Sequence, residues 1–361
     1  MAAIEFKTGA NDAGRRLDRI LRKSLPDCSL SLIHRLLRQG KVLVNDKPAR
    51  PEDRIQSDVI IKIMNKSLVN HRPEAVNENN ESNHKHFFVN HRSEMVNENT
   101  ASNNKRFGVN YRSQLVNKQN VVNYRCQRVN ENNASPAPLP EILMRERGII
   151  VFNKPPGLSS HGKDSLDTMV KNRLAGELPP SLSFKPGPLH RLDRPTSGII
   201  AFSESLEGAR WFSDLLQERK VAKTYLAIVE GRCGGEEIWQ DELVRNKTLK
   251  KTFAGNDGDA MNKTKNALTM VKSIASNGLY TLIEASIITG RTHQIRAQAA
   301  SQGRPLAGDK KYGALPFPGG FYLHAWKMEF EGIKIIAPLP KAFLLRVHEY
   351  FGDTVRSFCS V

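Results

Sequence analysis

The sequence contains few cysteines, few aromatic residues and no long apolar run. Its 361 residues include 7% aromatic residues and four cysteines, Cys28, Cys126, Cys233 and Cys359. These cysteines form no pairs at metal-binding spacing, which disfavours a disulfide scaffold and a structural zinc site. No stretch approaches the roughly 20 apolar residues that cross a bilayer, which excludes an integral membrane protein. The N-terminus lacks the pattern of a secretory signal, so we expect a cytoplasmic protein.

Positive charge, in contrast, is in excess along the whole chain. The sequence has 54 lysines and arginines against 37 acidic residues, a net charge of +17. Such an excess favours a polyanionic partner, because basic side chains neutralise phosphates and release counterions. Composition alone is equally compatible with a charge that only keeps the protein in solution.

Residues 14–64 have the pattern of a small module. Apolar residues recur at helical spacing in two segments, with basic residues between them: Leu17, Ile20, Leu21 and Leu25, then Leu32, Ile33, Leu36 and Leu37. Ser29 or Ser31 is expected to cap the second helix, and short strands are predicted at 41–44 and 58–63. Two basic helices on a small sheet suit a phosphate backbone; an ordinary amphipathic pair with a solvated charged face is the alternative.

This module resembles the S4 RNA-binding domain. The resemblance lies in the blocks RLDRIL, RLLRQGKVLVN and DVIIKI, which occur in the expected order. It implies RNA contacts by the basic side chains of the module, namely Arg16, Arg19, Arg35, Arg38 and Lys41.

Residues 65–140 differ in composition from the rest of the chain. Asparagine supplies 18 of these 76 residues, and a VN-x-R motif recurs from Val69, Val89, Val109 and Val122. A spacing near 20 residues is compatible with a solenoid. The shorter last step and the sparse apolar residues instead favour a flexible insert without a core of its own.

Residues 141–353 form the largest section and mix strand and helix patterns. Strands are predicted at 149–152, 198–203, 224–230, 280–288 and 321–330, and helices at 166–174, 206–218 and 291–302. Strands and helices do not alternate strictly, which favours an α+β fold over a doubly wound sheet.

Three polar segments of this section are candidates for chemistry. In the first, Asp193 stands between two arginines and precedes a turn and a strand; nearby cations favour an ionised carboxylate, although a surface ion-pair network has the same pattern. In the second, Thr289 or Thr292 caps a helix whose Arg296 faces the adjacent sheet, or these are solvated residues at a helix start. In the third, Tyr225 points inward from a strand, as many core tyrosines do.

Taken together, these segments resemble the RluA family of RNA pseudouridine synthases. The matching blocks are IIVFNKPPGLSSH, LHRLDRPTSGIIAFSES, VAKTYLAIVEG, ITGRTHQIRAQAASQGRPLAGDKKYG and FYLHAWKMEF, between residues 149 and 330. An S4 domain in front is a known arrangement in this family, and the subgroup that modifies large-subunit ribosomal RNA looks closest. The resemblance implies a pseudouridine synthase fold with a mixed, largely antiparallel central sheet.

The resemblance also implies the activity, which is isomerisation of uridine to pseudouridine within RNA without a metal or organic cofactor. It makes Asp193 the carboxylate that attacks uridine, at the sugar or at the ring, and Arg296 its counter-ion. Tyr225 is expected to stack on the base and to help remove the C5 proton. Further RNA contacts are expected from Arg191, Arg194, Arg291, His293 and Lys154.

One departure and two alternatives accompany this interpretation. After Arg296 the family often has a hydrophobic residue and then histidine, whereas this chain has Ala297 and Gln298; local helix packing or an RNA contact is therefore in question. The alternatives are the same chemistry on transfer RNA and a non-catalytic RNA-binding protein of ribosome assembly. The intact set of Asp193, Tyr225 and Arg296 favours an enzyme, expected as a monomer whose partner is RNA, not a membrane.

Overall fold

The structure is a computed structural model that describes residues 3–64, 138–246, 248–255 and 264–352. Most of the predicted asparagine-rich insert, 65–140, lies outside these ranges. The described residues form an N-terminal module and a larger C-terminal part, which pack together in one compact unit. Within these ranges, no helix is both long enough and apolar enough to cross a bilayer.

The N-terminal module consists of two helices on a small sheet, as the sequence predicts. Its elements are β1 (Ile4–Lys7), α1 (Leu17–Ser24), α2 (Leu30–Arg38), β2 (Val42–Val44), β3 (Lys47–Pro48) and β4 (Ile60–Ile63), and the strand order is β1-β4-β2-β3. The hydroxyl of Ser29 caps α2 by accepting from the amide of Leu32. The module starts earlier than residue 14, because β1 pairs antiparallel with β4.

The apolar face of each helix makes the core of this module. Side chains of α1 and α2 are buried against the sheet; they are Leu17, Ile20, Leu21, Ile33, Leu36 and Leu37, with Ile61 and Ile63 of β4. Because these positions recur at helical spacing, the basic residues between them are left on the opposite, solvated faces.

The C-terminal part is built on one long sheet. Its strands are β5 (Ile142–Glu146), β6 (Ile149–Lys154), β7 (Gly187–Pro188), β8 (Ser197–Ser203), β9 (Ala222–Glu230), β10 (Glu236–Asn246), β11 (Lys251–Ala254), β12 (Lys265–Ser276), β13 (Tyr280–Ile287), β14 (Leu323–Phe330) and β15 (Ile333–Ile336). The order is β11-β10-β12-β13-β9-β14-β8-β6-β5, with β15 beside β14 and β7 beside β8. Only β8 and β14 pair in parallel among the described strands, so the mixed, largely antiparallel α+β fold is confirmed.

Four helices flank this sheet in the described residues. They are α3 (Leu166–Leu174), α4 (Leu206–Gln217), α5 (Gln294–Ser301) and α6 (Lys341–Phe351). The first two agree with the predicted ranges. The third begins three residues later than predicted, and its N-cap is His293 in a left-handed conformation with φ 57°. The predicted cap at Thr289 or Thr292 is wrong, because the Thr289 hydroxyl donates instead to the side chain of Gln294.

The parallel contact of β8 with β14 places the first candidate segment. Gly198 has φ +103°, and a Cβ there would lie 2.2 Å from the carbonyl oxygen of Ala325. Glycine thus permits a backbone approach that another residue would block. The strand β14 also pairs with β9 on its other side. The loop before β8 therefore ends close to Tyr225 on β9.

Candidate active site

A cavity of about 240 Å³ lies where the three candidate segments meet. Six of the eight site residues predicted within the C-terminal part line it: Asp193, Tyr225, Arg296, Arg191, Arg291 and His293. They come from the loop before β8, from β9 and from the turn before α5. Residues as far apart in the chain as Asp193 and Arg296, which are separated by 103 positions, thus line one cavity.

The Asp193 loop is held by a neighbouring loop. Ser160 receives a hydrogen bond from the amide of Leu192 and donates one to its carbonyl. The amide of Gly157 donates to the carbonyl of Arg194, whose Nε donates back to the carbonyl of Gly157. These bonds fix the backbone on both sides of Asp193, whose carboxylate is only 18% exposed.

Lys154 completes this attachment, and its position corrects its predicted role in RNA binding. Its side chain is fully buried, and Nζ donates to the carbonyls of Pro155, Leu158 and Arg194 at 2.8–3.3 Å. Burial lowers the pKa of this ammonium to about 7, against the attraction of Asp193. Lys154 therefore holds the Asp193 loop from inside and is not available to a phosphate.

Arg296 lies next to the candidate catalytic carboxylate. Its Nη1 is 3.1 Å from Oδ2 of Asp193, while Nε and Nη2 bind the two oxygens of Asp309 at 2.7 and 2.9 Å. The guanidinium also lies over the rings of Tyr312 and Phe321. Burial alone would lower the pKa of Arg296, but the bonds and charges of the two carboxylates raise it.

Asp309 was not found by the sequence analysis, although it lies in the quoted block PLAGDKKYG. Its side chain is 2% exposed, and it occupies two of the three guanidinium nitrogens. Such a bidentate pair fixes the plane of an arginine. Asp309 therefore orients Arg296 so that Nη1 is presented to Asp193.

His293 forms another wall of the cavity as a neutral imidazole. The Tyr312 hydroxyl accepts from the amide of Thr252 and lies 2.8 Å from Nδ1, so this network assigns the proton of the ring to Nε2. Nε2 is 3.6 Å from Oδ2 of Asp193. Burial lowers the pKa of His293, and the charge of Asp193 raises it in part. The neighbouring cations Arg296, Arg245 and Lys311 lower the pKa further.

Two side chains of β9 face the cavity. Tyr225 lies between Ala285 and Ala325 of the adjacent strands, and burial, together with the charge of Asp193, raises the pKa of its phenol. Lys223, which the sequence analysis did not single out, lies two residues away on the same face. Burial lowers the pKa of the Lys223 ammonium. Among the described residues, this ammonium has no hydrogen-bond or ion-pair partner.

The remaining predicted RNA contacts divide into exposed and occupied side chains. Arg191 is exposed at the cavity rim, and Arg291 binds the carbonyl of Asn266 through Nε. In the module, Arg16 forms a double hydrogen bond with Asp18. No ion pair holds the other predicted basic residues of the described module, and they are exposed: Arg19, Arg35, Arg38 and Lys41.

Gln298, where this chain departs from the family pattern, is fully buried. Its amide nitrogen donates to the carbonyl of Trp239 and to the carboxylate of Asp241, and its oxygen accepts from Thr269. The departure therefore concerns how α5 packs on β10 and β12, and not an RNA contact.

Comparisons with known proteins agree with this geometry. Residues 148–301 match the family described as RNA pseudouridylate synthase, and residues 15–61 match the S4 domain. The chain is 29% identical to a protein of Pasteurella multocida named ribosomal large subunit pseudouridine synthase C, over 93% of this chain and 91% of that protein. A protein of the same name from Escherichia coli is 26% identical over 91% of each chain.

Proposed function

The chain belongs to the RNA pseudouridylate synthase family, and from this membership we propose that it modifies large-subunit ribosomal RNA with Asp193 as the attacking group. As a member of that family it is an isomerase that converts uridine to pseudouridine within RNA. The substrate and the roles of single residues are the proposed elements. Relatives named for the large ribosomal subunit match nearly the full chain and support the choice of RNA.

The observation that carries the proposal is the fixed carboxylate at the cavity. Hydrogen bonds to the neighbouring loop hold the backbone on both sides of Asp193. Its carboxylate accepts from Nη1 of Arg296 at 3.1 Å. The guanidinium fixes the position of this carboxylate beside the cavity, and a carboxylate is the form of the group that acts as a nucleophile. The guanidinium of Arg296 is fixed in this position, because Asp309 binds its other two nitrogens, Nε and Nη2.

The reaction breaks one bond and forms one bond at the same sugar carbon. The bond from N1 of uracil to C1′ breaks, C5 becomes attached to C1′, the C5 proton leaves and N1 takes up a proton. The bond that Asp193 forms with the nucleotide in its attack breaks again before the product leaves, so no group is gained or lost. Uridine must leave its stack to enter the cavity, at a cost of a few kcal/mol. Tyr225 lines the cavity, which supports the proposal that it stacks on the ring. The pKa of its phenol is raised, so Tyr225 suits stacking on the base better than removal of the C5 proton as a phenolate.

Release of tritium from RNA that carries C5-labelled uridine tests this proposal. Wild-type protein should release tritium from an in vitro transcript of large-subunit ribosomal RNA and not from transfer RNA transcripts. Asp193→Asn should lose at least about a thousandfold in rate, because an amide is not an anionic nucleophile. Asp214→Asn, which changes an exposed aspartate on α4, is the matched control.

Each other outcome overturns a different part of the proposal. Release from transfer RNA alone would reject the ribosomal substrate. Near-normal release by Asp193→Asn would reject the attacking group. Tight binding of ribosomal RNA without any release would favour a non-catalytic assembly protein.

A further inference from the structure

The N-terminal module and the C-terminal part meet at a buried carboxylate. Asp12 is fully buried and accepts hydrogen bonds from five donors at 2.6–3.0 Å. The donors are the amides of Gly9, Leu182 and Ser183 and the hydroxyls of Ser181 and Ser183. Four of the five belong to the C-terminal part, so one side chain of the module is satisfied almost entirely by the other part.

Neighbouring contacts make this junction close and specific. Asn11 accepts from the amide of Leu206, the first residue of α4. Arg15 donates through Nη1 to the carbonyl of Ser183. Gly9 lies so near Pro180 that a Cβ would be 2.1 Å from its carbonyl oxygen. The module is therefore docked on the C-terminal part through its own residues.

Positive charge collects where the two parts join. Arg15 donates to the carbonyl of Ser183, and Arg19 lies four residues further along, in the first turn of α1. Arg210 lies one turn of α4 beyond Leu206, whose amide binds Asn11. Burial lowers the pKa of Arg15, Asp12 opposes this effect, and the positive charges of Arg210 and Arg19 lower the pKa further. Arg19 and Arg210 are exposed. No carboxylate within the described ranges forms an ion pair with either of them. Asp12 is already occupied by five donors, so it leaves the guanidinium groups of Arg19 and Arg210 open to a ligand.

We propose that this junction is a phosphate-binding site assembled from both parts, in which Arg15 and Arg19 of the module and Arg210 of α4 hold one stretch of RNA backbone. The inference rests on the proposed function, which supplies RNA as the ligand. Arginine suits this role because its fork matches phosphate oxygens. Phosphate contacts fix position without reading sequence, so the docked module sets a constant distance between this anchor and the cavity.

Salt-dependent binding of the full chain to the large-subunit ribosomal RNA transcript tests the site. Arg210→Gln should reduce the slope of log affinity against log salt by about one unit, as expected for one lost phosphate contact. Arg219→Gln removes the same charge beyond the other end of α4, roughly 13 Å away at 1.5 Å per residue. That control should keep the wild-type slope.

A second variant tests whether docking assembles the site. Ser181→Ala with Ser183→Ala removes two hydroxyl donors to Asp12 from the C-terminal side without changing any charge. In this background Arg210→Gln should change the slope by clearly less than one unit. A full unit of change there would show that Arg210 acts without the module.

The outcomes separate this inference from the proposed function. A wild-type slope for Arg210→Gln would overturn the junction site, even if the protein modifies the transcript normally. Failure of the wild-type protein to release tritium from the same transcript would overturn the proposed substrate, whatever the slopes are.

Discussion

At the scale of single residues, Asp309 determines where Arg296 can point. Asp309→Asn keeps the shape of the side chain but replaces one of its oxygens by an amide nitrogen. That nitrogen is a donor and would face an N–H group of Arg296. We expect Nη1 to lose its fixed position beside Asp193. The single-turnover rate at saturating RNA should fall about a hundredfold, as misplacement by about 1 Å can cost in an enzyme, while RNA affinity stays near the wild-type value.

A second arginine–carboxylate pair provides the control for this variant. Arg304 binds both oxygens of Glu237 at 2.7–2.8 Å, and neither residue lines the cavity. Glu237→Gln should lower the melting temperature without a comparable loss of rate. Equal rate losses in both variants would assign Asp309 a role in stability alone.

Lys154 predicts a pH-dependent stability. Its folded pKa of about 7 lies below the ordinary value of 10.5, so between these values the unfolded chain binds a proton that the folded chain does not. The free energy of unfolding should then rise with pH across this window, by on the order of a few kcal/mol. Urea unfolding from pH 7 to 9.5 should show wild type gaining stability relative to Lys154→Met.

The matched comparison is a lysine on the surface of α3. Lys171 pairs with Asp167 one turn away and is 42% exposed. The stability difference between wild type and Lys171→Met should stay constant over the same pH range. A constant difference for Lys154→Met as well would contradict the depressed pKa.

At the scale of elements, the packing of α5 positions the cavity residues near its N-terminus. Gln298→Ala removes the acceptor of the buried Thr269 hydroxyl and one of the donors to Asp241. An unsatisfied buried polar group costs about 1–3 kcal/mol. Chemical denaturation should show a loss of that size, with RNA affinity unchanged. Gln302→Ala, exposed at the end of the same helix, should change neither quantity.

At the scale of the whole molecule, the module and the cavity have separable tasks. Every residue that lines the cavity lies between positions 190 and 323, outside the module. Removal of residues 1–64 should therefore raise the RNA concentration needed for half-maximal rate and reduce the salt dependence of binding. The single-turnover rate at saturating RNA should change little.

The same truncation has an outcome that would contradict this division. A truncated protein that stays folded by circular dichroism, binds RNA normally and reacts slowly would place the module in the assembly of the active site. Unchanged binding together with an unchanged rate would show that the module does not anchor RNA.

The sequence by itself determined the local elements and the segments that line the cavity. Apolar spacing placed α1, α2, α3 and α4, because each helix buries one face and the periodicity records that face. The block around Asp193 and the turn before α5 were recognisable because their residues are close together in the chain. The strands β10 to β12 were not predicted, since several of their apolar side chains, such as Ile238 and Met270, are exposed.

Only the tertiary structure decided which distant residues meet. Asp309 orients Arg296, and Lys154 is buried under the Asp193 loop. Asp12 accepts from Ser183, which is 171 positions away in the chain. None of these pairings leaves a periodic pattern, because hydrogen bonds across the fold depend on how elements pack and not on spacing within one element. For the same reason Lys154, which was expected at the RNA surface, is an interior donor, and the docking of the module through Asp12 was not predicted.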